Sequence, residues 1–122
     1  VKNSFHKQLF FYALSSTLLT LLLTGCHSTP PPTPLDQLNV QQMQGYNVFQ
    51  THCAQCHYDR TTGVFHGPSL LGVFKKQYLP SGAPANDDRV LATIHNGRAL
   101  MPPQPGISDQ DTTALLAYLH TL

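Results

Sequence analysis

Charge is scarce in this chain. Charged residues make up 11% of it, and glutamate is absent, so every acid is an aspartate. From Cys26 onward five basic residues (Arg60, Lys75, Lys76, Arg89, Arg98) face six aspartates, a balance of −1. Nucleic-acid binding wants a clear basic excess, so that class is excluded. The same balance leaves no strong field to steer a charged partner. Cysteine is scarce too, with only Cys26, Cys53 and Cys56. Structural zinc normally takes four Cys or His ligands supplied as two pairs, and there is no second C-x-x-C pair. No strand pattern and no internal repeat is visible, so the βαβ context of a thioredoxin-like dithiol is missing as well.

What is present begins with an export segment. Lys2, His6 and Lys7 form a basic start, and Leu9 to Leu23 is an apolar run interrupted only by Ser and Thr. That run is shorter than the roughly 20 apolar residues a membrane-spanning helix needs. It closes in Leu23-Thr24-Gly25-Cys26, which resembles the lipobox of bacterial lipoproteins. The resemblance implies a signal peptide over 1–25, cleavage before Cys26 and lipidation of its thiol. The domain is then exported from the cytoplasm, faces the periplasm or cell exterior, and is held to a lipid bilayer through Cys26. Acyl chains anchor at about 0.8 kcal/mol per buried CH₂, and more than one makes attachment stable.

The stretch from His27 to Pro34, HSTPPPTP, favours extended polyproline II over a packed element. It predicts a stalk of about 25 Å at some 3 Å per residue. Residues 26–35 are therefore read as lipidated cysteine and linker, with one small domain over 36–122. A domain of this size has a marginal apolar core by itself.

The organising motif of that domain is Cys53-Ala54-Gln55-Cys56-His57. The run C-x-x-C-H reads as a c-type haem attachment site. Two thiols three apart on a helix point the same way, and each can bond one vinyl group. His57 follows on the same face and can reach the iron from one side. One covalent haem c with its iron is the expected cofactor, and a buried porphyrin adds a large apolar body to the small core.

Three helices frame the motif. Asn39 to His52 runs into it, with Val40, Met43 and Tyr46 or Asn47 at helical spacing, then Phe49. Gly45 costs about 1 kcal/mol against alanine inside a helix, so it predicts close packing by another helix. Asn86 to His95 carries capping residues at its start, an apolar stripe of Val90, Leu91 and Ile94, and a stop at Asn96-Gly97. Ser108 to Leu122 opens on an N-cap with Asp111 three residues later, and Leu115, Leu116, Leu119 and Leu122 form its stripe, with Tyr118 beside it. Between them lie loops, with a short helical turn expected near Leu70 to Lys75. One loop, RALMPPQPG, is stiffened by proline and carries Met101. Met43 is the other methionine, and His66 and His95 compete with Met101 as the second iron ligand.

In this order the motifs resemble a class I (monohaem) cytochrome c. The resemblance covers residues from about 40 to 122 and rests on Gly45 and Phe49, Cys53-x-x-Cys56-His57, Gly67-Pro68, Asn96-Gly97, Met101-Pro102 and Leu115-x-x-Tyr118. It implies an all-α fold of three main helices and loops wrapped around one covalently attached haem. It also implies that Gly45 and Phe49 pack across the last helix at Leu115 and Tyr118. Pro68 is expected to accept a hydrogen bond from His57, and Met101 to be the sixth ligand. His/Met ligation raises the reduction potential.

The function expected from this is single-electron transfer between respiratory partners at the membrane, such as an oxidase, a reductase or a quinol-oxidising complex. A six-coordinate buried iron leaves no position for a small-molecule substrate, so an electron carrier and no enzyme is expected. Two alternatives stand beside it: a haem enzyme or gas sensor with an open or labile sixth position, and an electron-transfer subunit of a larger membrane oxidoreductase.

Overall fold

The structure is a computed structural model that describes residues 30–122. The readings placed on 1–25, on Cys26 and on the start of the linker lie outside the described residues. Three α-helices follow in order: α1 (Val40–His52), α2 (Asp87–Asn96) and α3 (Asp109–Leu119). Short 3₁₀ turns occupy Leu35–Gln37 and Val73–Lys75. Among the described residues there is no strand, only isolated bridges at Val64–Pro68, Tyr78–Pro84 and Arg98–Met101. The expected all-α fold, three main helices with connecting loops, is what the described residues adopt. Among the described residues no helix is long and apolar enough to cross a membrane.

Each helix starts on a side chain that satisfies a free backbone N–H. Asn39, Asn86 and Ser108 accept from the N–H of Gln42, Arg89 and Asp111 respectively. Such a cap is worth about 1 kcal/mol. A reciprocal capping box forms at Asn39 and Gln42, where each side chain meets the other's backbone N–H. The expected box at Ser108 is incomplete. The short Asp111 carboxylate accepts from the Ser108 hydroxyl at 2.8 Å instead of from its backbone.

The main helix contact joins α1 to α3. Gly45 is why they approach so closely. A Cβ there would fall onto the Ala114 carbonyl oxygen and 2.8 Å from Tyr118 Cβ. Phe49 packs on Tyr118 with ring centroids 6.0 Å apart, and Tyr46 meets the same ring edge-on at 5.4 Å. Tyr118, expected beside the stripe, is at its centre with no exposed surface. Val48, Phe49, Val73, Val90, Ile94, Ile107, Leu115, Leu119 and Leu122 complete the buried cluster. Leu91 and Leu116 are half-buried. Truncating Phe49 or Leu115 to alanine would cost on the order of 3 kcal/mol.

Packing begins before residue 36. Thr33 N–H donates to the Thr121 carbonyl at 2.8 Å, and the Thr33 carbonyl accepts from Arg60 Nη2 at 2.6 Å. Thr33 has proline on both sides, and a proline lacks the N–H that docking requires. The threonine supplies that N–H, so the end of the proline-rich stretch lies on the domain.

Candidate haem site

The C-terminal end of α1 delivers the motif. The helix ends at His52, and Cys53 is its C-cap. The motif itself is a hydrogen-bonded turn instead of a continuation of the helix. Cys53 N–H bonds to the Phe49 carbonyl at 2.8 Å, and the N–H groups of Cys56 and His57 both bond to the Cys53 carbonyl at 2.9 Å. Those bonds keep the two sulfurs and the imidazole on one turn of chain. Cys53 and Cys56 are not joined in a disulfide and are half-buried. Burial, and then the neighbouring Cys56, push the Cys53 thiol up to about 11.

His57 is fixed from two sides. Its Nδ1 lies 2.7 Å from the Pro68 carbonyl oxygen. With its proton on Nδ1, the ring donates there and its Nε2 lone pair is free for a metal. Gly67 lies against the ring face, where a Cβ would come within 2.8 Å of Nδ1 and 2.9 Å of Nε2. Gly67 N–H is in turn tied to the Cys56 carbonyl at 2.8 Å. The loop that holds the imidazole is thus bonded back to the motif it serves.

Met101 stands on a separate, constrained loop. Arg98 and Met101 exchange backbone hydrogen bonds of 2.9 Å in both directions. The two residues between them include Ala99 at φ 51°, a left-handed conformation that a non-glycine residue rarely takes. Gly97, at φ 70°, ends α2; a Cβ on it would lie 2.6 Å from the Met101 carbonyl oxygen. Gln104 N–H bonds to the Ile94 carbonyl at 2.9 Å and closes the loop onto α2. Met101 is half-buried and packs against the same core cluster as Cys53. Met43 instead lines a shallow groove with Leu35, Leu38 and Asn47 at the start of α1.

Of the two histidines that compete with Met101 on paper, His95 is half-buried in the last turn of α2. His66 is exposed and packs on Phe65 at 4.3 Å. His120 Nε2 lies 2.7 Å from Asp87 Oδ1, and its ring stacks on Phe74 at 3.9 Å and 11°. Among the described residues no three His, Cys, Asp or Glu side chains converge to hold a bare metal ion. Two thiols, a single oriented imidazole and a thioether fit an iron already held in a porphyrin.

Sequence reasoning missed one network beside the site. Tyr118 hydroxyl donates to Asp59 Oδ2 at 2.6 Å. Burial, and next the Asp59 hydrogen bond, push the Tyr118 hydroxyl above its ordinary value. Arg60 reaches Thr33, and among the described residues its buried Nη1 has no acceptor. The chain just after His57 is therefore fastened to α3 and to the N-terminal segment.

An all-α domain closed around a C-x-x-C-H turn, with an oriented histidine and a stiff methionine loop, defines a c-type cytochrome. The family model described as "Cytochrome C oxidase, cbb3-type, subunit III" matches residues 40–119, which span all three helices. The chain belongs to that family. It carries covalently bound haem c with its iron, and its role is electron transfer. The chain is also 32% identical over 85 residues to "Cytochrome c oxidase subunit 2" of Alkalihalophilus pseudofirmus. That match covers 65% of this chain but only 25% of the relative.

Proposed function

We propose that the domain passes single electrons between redox proteins at a membrane, as a carrier without catalytic activity. Cys53 and Cys56 would hold the one haem, and His57 and Met101 would be the ligands of its iron. When bound, the haem supplies a one-electron Fe(III)/Fe(II) couple. The residues do the rest. The Pro68 carbonyl accepts a hydrogen bond from Nδ1–H and orients the imidazole, and Gly67 leaves the room the ring occupies. The doubly bonded turn from Arg98 to Met101 holds the thioether donor. A thioether favours the reduced metal and raises the potential. With both His57 and Met101 engaged, no ligand position would be left for a substrate.

The single observation that carries this reading is the C-x-x-C-H turn with its His57 held by the Pro68 carbonyl, and the Met101 loop braced by Gly97 agrees with it. Absorption spectra of the full-length haem-loaded protein test it, oxidised and reduced, before and after carbon monoxide. A low-spin spectrum with the weak iron–sulfur band, unchanged by the gas, is expected. A high-spin spectrum, or prompt carbon monoxide binding, would move the haem-enzyme or gas-sensor reading to the front.

The membrane setting rests on the sequence: a basic start, an apolar run and Leu23-Thr24-Gly25-Cys26. We read these as export and lipid attachment through Cys26. Mass measurement of the mature chain tests this, with a diacylated or triacylated Cys26 at the new N-terminus expected.

A second reading is favoured by the oxidase names of the matched family and relative. In it the domain is the electron-transfer part of a larger membrane oxidoreductase. Copurification with an oxidase after mild detergent extraction separates that case from a free carrier.

A further inference from the structure

Three of the six exposed large apolar side chains among the described residues lie within one short loop: Tyr58 (43% exposed), Val64 (77%) and Phe65 (48%). They are not displayed by accident of a loose loop. Tyr58 and Phe65 stack at 5.7 Å and 29°, and His66 packs on Phe65. The backbone beneath them is pinned repeatedly. Leu70 N–H bonds to the Tyr58 carbonyl at 2.8 Å, Ser69 N–H to Gly63 at 3.1 Å, and Phe65 N–H to Gly67 at 3.1 Å. The Ser69 hydroxyl bonds to the Thr61 carbonyl at 2.6 Å. A rigid, pre-formed apolar face costs little to dock, and such faces mark interaction sites.

Two features say what covers it. The first is charge. From Thr61 to Phe74 the chain has no Lys, Arg, Asp or Glu. At its start, Asp59 is held by Tyr118 and Arg60 by Thr33, so both charges are turned into the fold. The second is position. Tyr58 follows His57 directly, and Gly67, which closes the loop, is bonded to Cys56. The face is therefore built on the same few residues that fasten the haem.

We infer that the face formed by Tyr58, Val64 and Phe65 is where the domain docks its redox partner, a protein presenting an uncharged apolar surface beside its own redox centre. This rests on the electron-transfer reading above and deepens it. Docking here relies on apolar contact and not on charge steering, so it brings the haem-bearing turn against the partner at any salt concentration.

Stopped-flow oxidation of the reduced full-length haem protein tests this, with purified bacterial cytochrome c oxidase as the probe. Ferricyanide, a small inorganic oxidant, serves as the reference. Wild-type protein should react with the oxidase at a second-order rate that changes less than about twofold between low and high salt. Val64→Ser with Phe65→Ser should lower that rate about tenfold. The spectrum, the potential and the ferricyanide rate should not move. Val64→Ser alone, at the most exposed position of the three, keeps the test valid if the double variant folds poorly; about a threefold loss is expected. Unchanged oxidase rates in both variants, or a rate that falls steeply with salt, would overturn the docking face alone. A wild type that donates to ferricyanide but not to the oxidase would overturn the oxidase-type partner and this proposal with it. Concentration-dependent sedimentation abolished by Val64→Ser would assign the face to a second copy of the chain instead.

Discussion

Nδ1 of His57 lies 2.7 Å from the carbonyl oxygen of Pro68, and the acceptor is backbone, not side chain. Replacing the proline therefore does not remove it. Pro68→Ala should keep the hydrogen bond and change stability by about 1 kcal/mol or less, through a looser chain. Gly67→Ala should do far more, because its Cβ would intrude on the imidazole itself. A cost of about 1–3 kcal/mol is expected from overpacking, with a displaced ring and a lower yield of low-spin protein. Urea midpoints and spectra of the two variants check this. Equal behaviour would remove Gly67 from the positioning of His57.

The contact of α1 with α3 depends on one missing Cβ. Gly45→Ala would place a methyl group on the Ala114 carbonyl, and neither helix can yield without moving Phe49 or Tyr118. The gain in helix propensity is about 1 kcal/mol. The steric loss is expected to exceed it, leaving a net destabilisation of about 1–2 kcal/mol. Denaturant unfolding of the haem-loaded protein measures the sign, and a more stable Gly45→Ala would mean that the helices are not locked at this distance.

How much of this was legible depends on sequence distance. The N-cap Ser108 and the stop at Gly97 follow from rules acting over three or four residues, and the same rules narrowed the other cap to Asn86, Asp87 or Asp88, of which the structure uses Asn86. The Gly45 packing was half legible: the glycine pointed to a partner, and only resemblance to known cytochromes supplied Leu115 and Tyr118. The end of α1 at His52 was legible, but the turn after it was not: the two thiols were read on a helix, and Cys53 to His57 form a hydrogen-bonded turn instead. The bonds from Asp59 to Tyr118, from Arg60 to Thr33 and from Thr33 to Thr121 were invisible. They join residues far apart in the chain, and only the α1–α3 contact brings them together. Thr33 shows the physical limit best, because its composition reads as stalk while its one free N–H makes it a dock.

Met101 can be tested through a neighbour that carries no donor atom. Met101→Ala should leave the haem attached, open the iron to carbon monoxide and lower the potential. Gly97→Ala changes no ligand, but its Cβ would meet the Met101 carbonyl at 2.6 Å, and its φ of 70° strains any other residue. It should weaken the iron–sulfur band and admit carbon monoxide partially. A Gly97→Ala protein with an unaltered band would separate Met101 from the bracing at the end of α2.

Asp111 should shape the acid limb of stability. The Gln44 amide, and next the Ser108 hydroxyl, hold its carboxyl below the ordinary value of 3.8. A depressed folded value means stability that is present above the unfolded value and is lost as pH falls through the folded one. Asp111→Asn should lose that contribution at neutral pH and, with it, the matching decline below about pH 4, so the two curves converge in acid. Urea midpoints across the acid range, compared with wild type, read it directly. Parallel acid limbs would show that the carboxylate does not link α1 and α3.

Tyr118 gives the opposite sign at the other end of the scale. Its hydroxyl is buried and donates to Asp59, so its folded value is raised above the ordinary 10.0. Stability from this group is fully present below about pH 10 and is lost as pH rises through the folded value. Tyr118→Phe keeps the ring that Phe49 and Tyr46 pack on, yet leaves Asp59 Oδ2 without its donor, while Oδ1 still accepts from the Arg60 N–H at 2.8 Å. One carboxylate oxygen unpaired in that half-buried position should cost about 1–3 kcal/mol at neutral pH. The variant should also lose the alkaline decline that the hydroxyl contributes, so the two stability curves converge above pH 10. Asp59→Asn should restore part of the loss in the Tyr118→Phe background, because an amide is cheaper to leave unpaired than a charge. If Tyr118→Phe matches wild type at neutral pH, the hydroxyl is not what fastens the chain after His57 to α3. That tether would then rest on Arg60 and Thr33 alone.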